Sequence, residues 1–384
     1  MRTVDSGAPD LRSNEDRPRF GVLTWRLNRR RLRRFPILAG SPVLLRLAIG
    51  STVLLIICLA LVLIATSVGP YTIPPARALE ILLEQLHLGQ ADASNTEQAI
   101  VASIRLPRIV LALIVGAALG VSGAVMQGLF RNPMADPGII GVSTGGALGA
   151  VIAIATGASA LVSLALPAMS FAGATATLVL VYVVASVGGR FSMAALLLAG
   201  VAIGAFIAAV ISAIILFTAN LQAQREMLFW LAGGLGASTW QDVRLSLPFV
   251  ILGIAVSVVL SRDLNLLMLS DEEARALGSR VSLTRNLLLV STSLITGAAV
   301  AFSGTIAFVG LIAPHTLRLL VGADHRVLIP LSAIGGGVFL LAADTLSRTV
   351  VDPAEVPVGV VTALTGAPFF LVLLARNKAR ASML

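Results

Sequence analysis

The sequence predicts an all-α, polytopic membrane protein of about ten transmembrane helices with an inverted internal repeat, and three observations predict it. Hydrophobic residues make up 57% of the chain and charged residues 12%, with a mean hydropathy of +0.94; soluble domains carry about a quarter charged residues. The stretch from Phe191 to Gln224 holds no charged side chain, well beyond the roughly 20 apolar residues that one crossing needs. Glycine and alanine abound while aromatics are only 5%, which suits helices packed through small residues rather than the short alternating strands of a membrane barrel.

Residues 1–42 differ from the rest. They are polar and charged and include the run RLNRRRLRRF from Arg26 to Phe35, which reads as a disordered cytoplasmic tail ending in a basic anchor. An arginine cluster set just before a span is an orientation signal, so no nucleic-acid partner is expected. The apolar run from Val43 to Val68 is too long for the core of a signal peptide and has no clear small-residue cleavage site. A membrane domain is therefore expected over 43–376, with a short cytoplasmic tail at 377–384. Apolar runs between breaks place its spans at about 43 to 68, 105 to 129, 138 to 157, 161 to 187, 192 to 218, 244 to 262, 286 to 303, 306 to 321, 328 to 350 and 357 to 375. An even count returns Arg376, Lys378 and Arg380 to the side of the basic N-terminus, and most of the 28 Lys and Arg residues then lie on that cytoplasmic side.

The second and third spans are joined by a tight loop. Arg131, Asn132, Pro133, Asp136, Pro137 and Gly138 cannot continue a helix, and Arg131 and Asp136 are the only charges between Arg108 and Arg190. The longest cytoplasmic loop, Arg262 to Arg285, carries Asp271, Glu272 and Glu273, which suit a helix N-terminus; Ala274 to Leu277 continue the turn and Gly278 stops it. It reads either as a docking element for a cytoplasmic partner or as a solvated connector. GAALGVSG (Gly116 to Gly123) echoes GAAVAFSG (Gly297 to Gly304), and the same offset lays Pro133 on Pro314. The echo joins the second span to the seventh, so the halves would run in opposite directions, as in many transporters.

Arg105 and Arg108 precede or open the second span and Arg348 ends the ninth, all at the outer face, where arginine is under-used. Each could snorkel to lipid headgroups, and together they could hold the carboxylates of an acidic partner. Arg348 lies four residues after Asp344, so that pair could instead bury both charges as structure. No G-x-x-x-x-G-K-[ST] phosphate loop occurs, so ATP chemistry would require another polypeptide. His87, His315 and His325 are scattered, and Cys58 is the sole cysteine, so no metal site is expected. His315 follows Pro314 in an apolar run and reads as a hydrogen-bonded structural histidine.

RLPR and GAALGVSGAVMQGLFRNPMADPGIIGVSTGGALG, then FWLAGGLGASTW, EEARALGSRV, SGTIAFVGLIAPHTLRLLVGADHRVLIPLSA and ADTLSR with EVPVGVVTALTGAPFFLVLL resemble the FecCD family of ABC-importer permeases for iron chelates, haem and vitamin B12. The resemblance runs in order through residues 43 to 376 and leaves out the arginine-rich extension. It implies a vitamin B12 importer permease-like fold in a bacterial cytoplasmic membrane, with both termini cytoplasmic. It also implies a second permease, identical or paralogous, and two cytoplasmic ATP-binding subunits that carry ATP and Mg, with no cofactor on this chain. Those subunits would dock on 265–284, with Asp271, Glu272, Glu273, Ala276, Leu277 and Gly278 as coupling residues. An extracytoplasmic binding protein would meet Arg105, Arg108 and Arg348, while Asn132, Pro133 and Met134 would lie near the cytoplasmic gate. The implied cargo is an iron chelate, with a siderophore first and haem or a corrinoid as the alternatives. A self-sufficient, ion-coupled transporter is the alternative; it needs embedded carboxylates, and only Asp344 qualifies.

Overall fold

The computed structural model describes residues 42–89, 91, 93–187, 192–351 and 354–381, with side chains up to residue 372. The basic run Arg26–Phe35 and the last residues of the chain lie outside the described residues. Every regular element among the described residues is helical.

α1 (Val43–Ser67) is an apolar rod. α2 (Pro75–Gln85) opens on a proline, tolerated there because the first N–H of a helix has no partner to lose. α3 (Asn95–Ala99) starts on a capping box in which the Glu97 N–H donates to Ser94 Oγ at 3.2 Å and the Ser94 N–H donates to Glu97 Oε2 at 3.0 Å. A π-helical turn (Ile100–Arg105) then leads into α4 (Leu106–Leu129), making a 35-residue rod. The second span therefore begins earlier than the apolar pattern suggests, because Ser94 and Glu97 supply the cap among polar residues.

A 3-10 turn (Pro137–Ile140) precedes α5 (Val142–Ala155). Then come α6 (Ala158–Leu161), α7 (Ala165–Ser186) and α8 (Met193–Phe217). The chain goes on through α9 (Leu221–Leu231), α10 (Trp240–Val259), α11 (Ser261–Leu267) and α12 (Asp271–Ala276). It finishes with α13 (Val281–Ser303), α14 (Val309–Val321), α15 (His325–Ser347) and α16 (Val358–Ala381). Among the described residues, seven helices are long and apolar enough to cross a membrane, and α5, α14 and α16 supply three shorter apolar ones. The all-α, multi-span architecture is borne out. The span limits are corrected: α5 and α14 are shorter than expected, and α2, α9 and α11 are additional helices between spans.

α4 is the centre of the bundle, with 83% of its most apolar window buried, and it packs on α15, α13, α14 and α10. α5, α7 and α8 form a neighbouring group joined to it through α13. Lipid offers apolar side chains the same environment as a helix neighbour, so association depends on close approach. Glycine provides that approach here. A methyl group at Gly116 would strike the Gly336 carbonyl, and one at Gly336 would strike the Gly116 carbonyl. A methyl group at Gly123 would strike the Gly310 carbonyl on α14, one at Gly310 would strike the Leu119 carbonyl, and Gly145 faces Gly173 and Thr177 on α7.

α4 and α13 run antiparallel: Arg131 and Arg285 share one carboxylate at one end, while Arg108 and Ser303 line one cavity at the other. A long helix followed by a short one occurs in both halves, α4 then α5 and α13 then α14. The register of the sequence echo does not hold. Gly304 caps α13 whereas Gly123 lies inside α4, and Pro133 is in a loop whereas Pro314 is inside α14. Small-residue runs recur wherever helices touch, so they report packing rather than equivalent positions.

Replacing Gly123 by alanine places a side chain against backbone that cannot rotate away. The expected cost is about 1–3 kcal/mol, read as a lower thermal midpoint of the detergent-solubilised protein; an unchanged midpoint would show that the contact is loose.

Candidate functional site

Charged side chains gather at the two ends of the α4 rod. At the first end, Asp344 of α15 is fully buried and shared by two guanidiniums. Arg108 Nε lies 3.0 and 3.1 Å from the two Asp344 oxygens, its Nη2 lies 3.0 Å from Oδ1, and its Nη1 reaches Glu355 Oε2 at 2.8 Å. Arg348, one turn beyond Asp344, sets Nε 3.4 Å from Oδ2 and donates to the Ala65 carbonyl of α1. Arg105 donates to the carbonyls of Thr66 and Tyr71. The cluster thus ties α1, α4, α15 and the segment before α16 together.

Local structure explains why these groups meet. The Trp240 indole N–H donates to the Ala102 carbonyl inside the π-helical turn, 2.9 Å away, and this turn delivers Arg105 and Arg108 to α4's first turns. The three arginines are 5–7% exposed, so they are not free at the surface. The internal pairing of Asp344 with Arg348 that their spacing allowed is present, and Arg108 joins it. Sequence spacing could not reveal Arg108 as a partner, since it stands 236 residues from Asp344. Glu355 was also missed; it is 40% exposed and faces a cavity of about 590 Å³, together with Glu226, Asp242, Phe229 and Trp230.

At the second end, the loop after α4 is shaped by its own side chains. Asn132 Oδ1 accepts from the Met134 N–H at 3.0 Å, and Asp136 Oδ1 accepts from the Gly138 N–H at 2.8 Å. Asn132 and Met134 are exposed and Pro133 is half-buried. α12 begins at Asp271 with Ser270 as cap, in a capping box with Glu273 that sequence inspection overlooked despite its S-x-x-E spacing. The Ser270 backbone N–H holds the Glu273 carboxyl below the usual carboxylate range. Gly278 has φ +86° and ends the helix as its position predicts. Glu272, Glu273, Ala276, Leu277 and Gly278 are all exposed, Leu277 by 61%.

α11 is pinned to the start of α15. Asn265 Nδ2 donates to Asp324 Oδ1 at 2.8 Å, and Asn265 Oδ1 accepts from the His325 N–H at 3.0 Å. Asp324 also pairs with Arg326 at 2.6 Å, and chiefly that hydrogen bond brings its pKa down to about 2. His315, expected to be hydrogen-bonded, has a buried Nδ1 with no partner; its neighbour one turn on, Arg318, offers only donors. No group of three or more His, Cys, Asp or Glu side chains converges among the described residues.

The FecCD transport family matches residues 54–376 of the chain. The cobalamin import system permease protein BtuC of Halobacterium salinarum is 48% identical over 76% of this chain and 78% of its own length. The hemin transport system permease protein HmuU of Yersinia pestis is 42% identical over 73% of this chain and 84% of its own. A solved chain, described as an inward-facing conformation of an ABC transporter of metal-chelate type, superposes with a TM-score of 0.73. It is 33% identical and covers 84% of this chain and 97% of its own.

Removing Arg108 leaves the buried Asp344 carboxylate with Arg348 alone. Arg108→Ala is expected to cost about 3–5 kcal/mol, with partial recovery when Asp344→Asn is added; thermal unfolding in detergent checks both. Asp324 titrates lower in the folded chain than the about 3.9 of a free carboxyl. Its contribution to stability is therefore complete above that range and is lost as pH falls towards about 2. Asp324→Asn should flatten this acid limb of the stability curve.

Proposed function

The chain belongs to the FecCD transport family, and on that premise we propose that it is the membrane-spanning permease of an ATP-driven importer that carries a metal chelate across the cytoplasmic membrane. The observation that carries this reading is the family match over residues 54–376, which runs from within α1 to within α16. The chain is a transport component, and ATP hydrolysis belongs to separate ATPase subunits. The sequence contains no phosphate loop of its own. A second permease, identical or paralogous, completes the conduit, and two ATPase subunits meet the exposed face of α12.

Kinship with permeases named for cobalamin and hemin makes a macrocyclic metal chelate the first cargo to test, with iron siderophores second. The arginine end receives the extracytoplasmic binding protein. Arg105, Arg108 and Arg348 frame that face from within, and the rim acid Glu355 can exchange Arg108 Nη1 with a carboxylate of the arriving protein. The loop end, with Asn132, Pro133 and Met134 exposed or half-buried, forms the cytoplasmic gate. Both chain termini then lie in the cytoplasm, as the basic flanks require.

The ion-coupled alternative needs a membrane carboxylate free to take up and release a proton or cation. Asp344 is gripped by Arg108 and Arg348, a pairing that leaves no vacancy for a coupling ion. The test is reconstitution: the permease with its ATPase and binding protein in liposomes should accumulate labelled cobalamin, haem or a ferric siderophore only when ATP is supplied. Accumulation by the isolated chain under a proton gradient would overturn the proposal.

A further inference from the structure

Resting on the importer reading above, we propose that Arg131 is a positioning residue whose guanidinium brackets the ATPase-facing helix α12 to the gate loop, so that a displacement of α12 is passed directly to residues 132–134. Arg131 Nε donates to the Leu267 carbonyl, the end of α11, at 3.0 Å. Its Nη2 lies 3.5 Å from Asp271 Oδ1 at the first residue of α12, and Arg285 of α13 holds the same carboxylate at 3.0 Å. Asp271 thereby joins three elements through one side chain.

The backbone at Arg131 points to its side chain as the reason for its presence. The Arg131 N–H donates to the Gly128 carbonyl and the Asn132 N–H to the Gln127 carbonyl, the pattern that ends a helix with one left-handed residue. Arg131 takes that place with φ +49°, where glycine is favoured and a long side chain is strained. Glycine there would close α4 equally well, so the arginine contributes something other than the turn.

Two further features suit a moving joint. The bracket residues Arg131, Asp271 and Arg285 themselves line a cavity of about 240 Å³ together with Leu129, Phe130 and Met193, so these side chains have room to shift. Ala274 is the single buried residue of α12, which leaves this helix lightly held except through Asp271. The Arg131 and Asp271 side chains are 43% and 38% exposed, and a solvated pair of this kind is weak enough to break and re-form during a transport cycle.

Arg131→Gly separates this role from a structural one, because it deletes the guanidinium while relieving the left-handed backbone. In the permease–ATPase complex in liposomes, the expected result is a thermal midpoint equal to or above that of the unaltered complex, with cargo moved per ATP hydrolysed falling several-fold. Asp271→Asn should lower the same ratio, and the double variant should lose no more than the worse single one. A ratio unchanged in Arg131→Gly overturns the proposal, as does a midpoint that falls in step with transport. Failure of the unaltered complex to couple ATP to uptake would remove the importer reading itself, and the bracket with it.

Discussion

The approach of α4 to α14 and α15 through glycine is the constraint on which the rest of the structure depends. Carbonyl oxygens of Gly310 and Gly336 occupy the space where side chains of residues 123 and 116 would otherwise stand. In a bilayer this proximity supplies dispersion contacts that apolar burial alone would not. It also holds α4 close against α14 and α15, with a charged cluster at each end of the rod.

The two ends are chemically unlike. Asp344 is fully buried between Arg108 and Arg348, and breaking such an arrangement leaves an uncompensated charge. Asp271 at the other end is substantially exposed between Arg131 and Arg285, where water can replace either partner at small cost. The first cluster is a weld across α1, α4 and α15. The second is a joint between α4, the segment around α12, and α13. A permease that receives mechanical input from cytoplasmic subunits needs this asymmetry: the receiving end must yield while the delivering face keeps its shape.

Much of this was legible in the sequence because the membrane makes the code simple. Long charge-free runs gave the helices, and Asp271 to Gly278 gave the short helix with its stop. Spacing also offered the Asp344–Arg348 pair as one of several roles. What stayed hidden depends on distance along the chain or on local caps. Nothing near Arg108 indicates that its carboxylates lie at 344 and 355, and nothing near Arg131 indicates Leu267 or Asp271. Helices α2, α9 and α11 are too short or too polar to stand out by apolarity, and the start of α3 is set by Ser94 and Glu97 rather than by hydrophobicity. The outward aspect assigned to the three arginines followed from their place in the topology; their burial follows from Asp344, Glu355 and the carbonyls that end α1, all brought in by tertiary contact.

The same physics bears on where the energy for uptake enters. A carboxylate pinned by two arginines cannot readily serve as a carrier, since each cycle would require separating charges in a low-dielectric interior. The solvated carboxylate of Asp271 can change partners cheaply, but a cheap exchange stores little energy. On the proposed importer reading, the work comes from an ATPase subunit that pushes on α12, and the permease transmits it. Transmission through Arg131 acts on the backbone immediately before Asn132, Pro133 and Met134, where proline and the Asn132 side-chain turn stiffen the loop. On the same proposal, a stiff loop tied to a lightly held helix passes a small displacement of that helix on to residues 132–134 rather than dissipating it in local flexing.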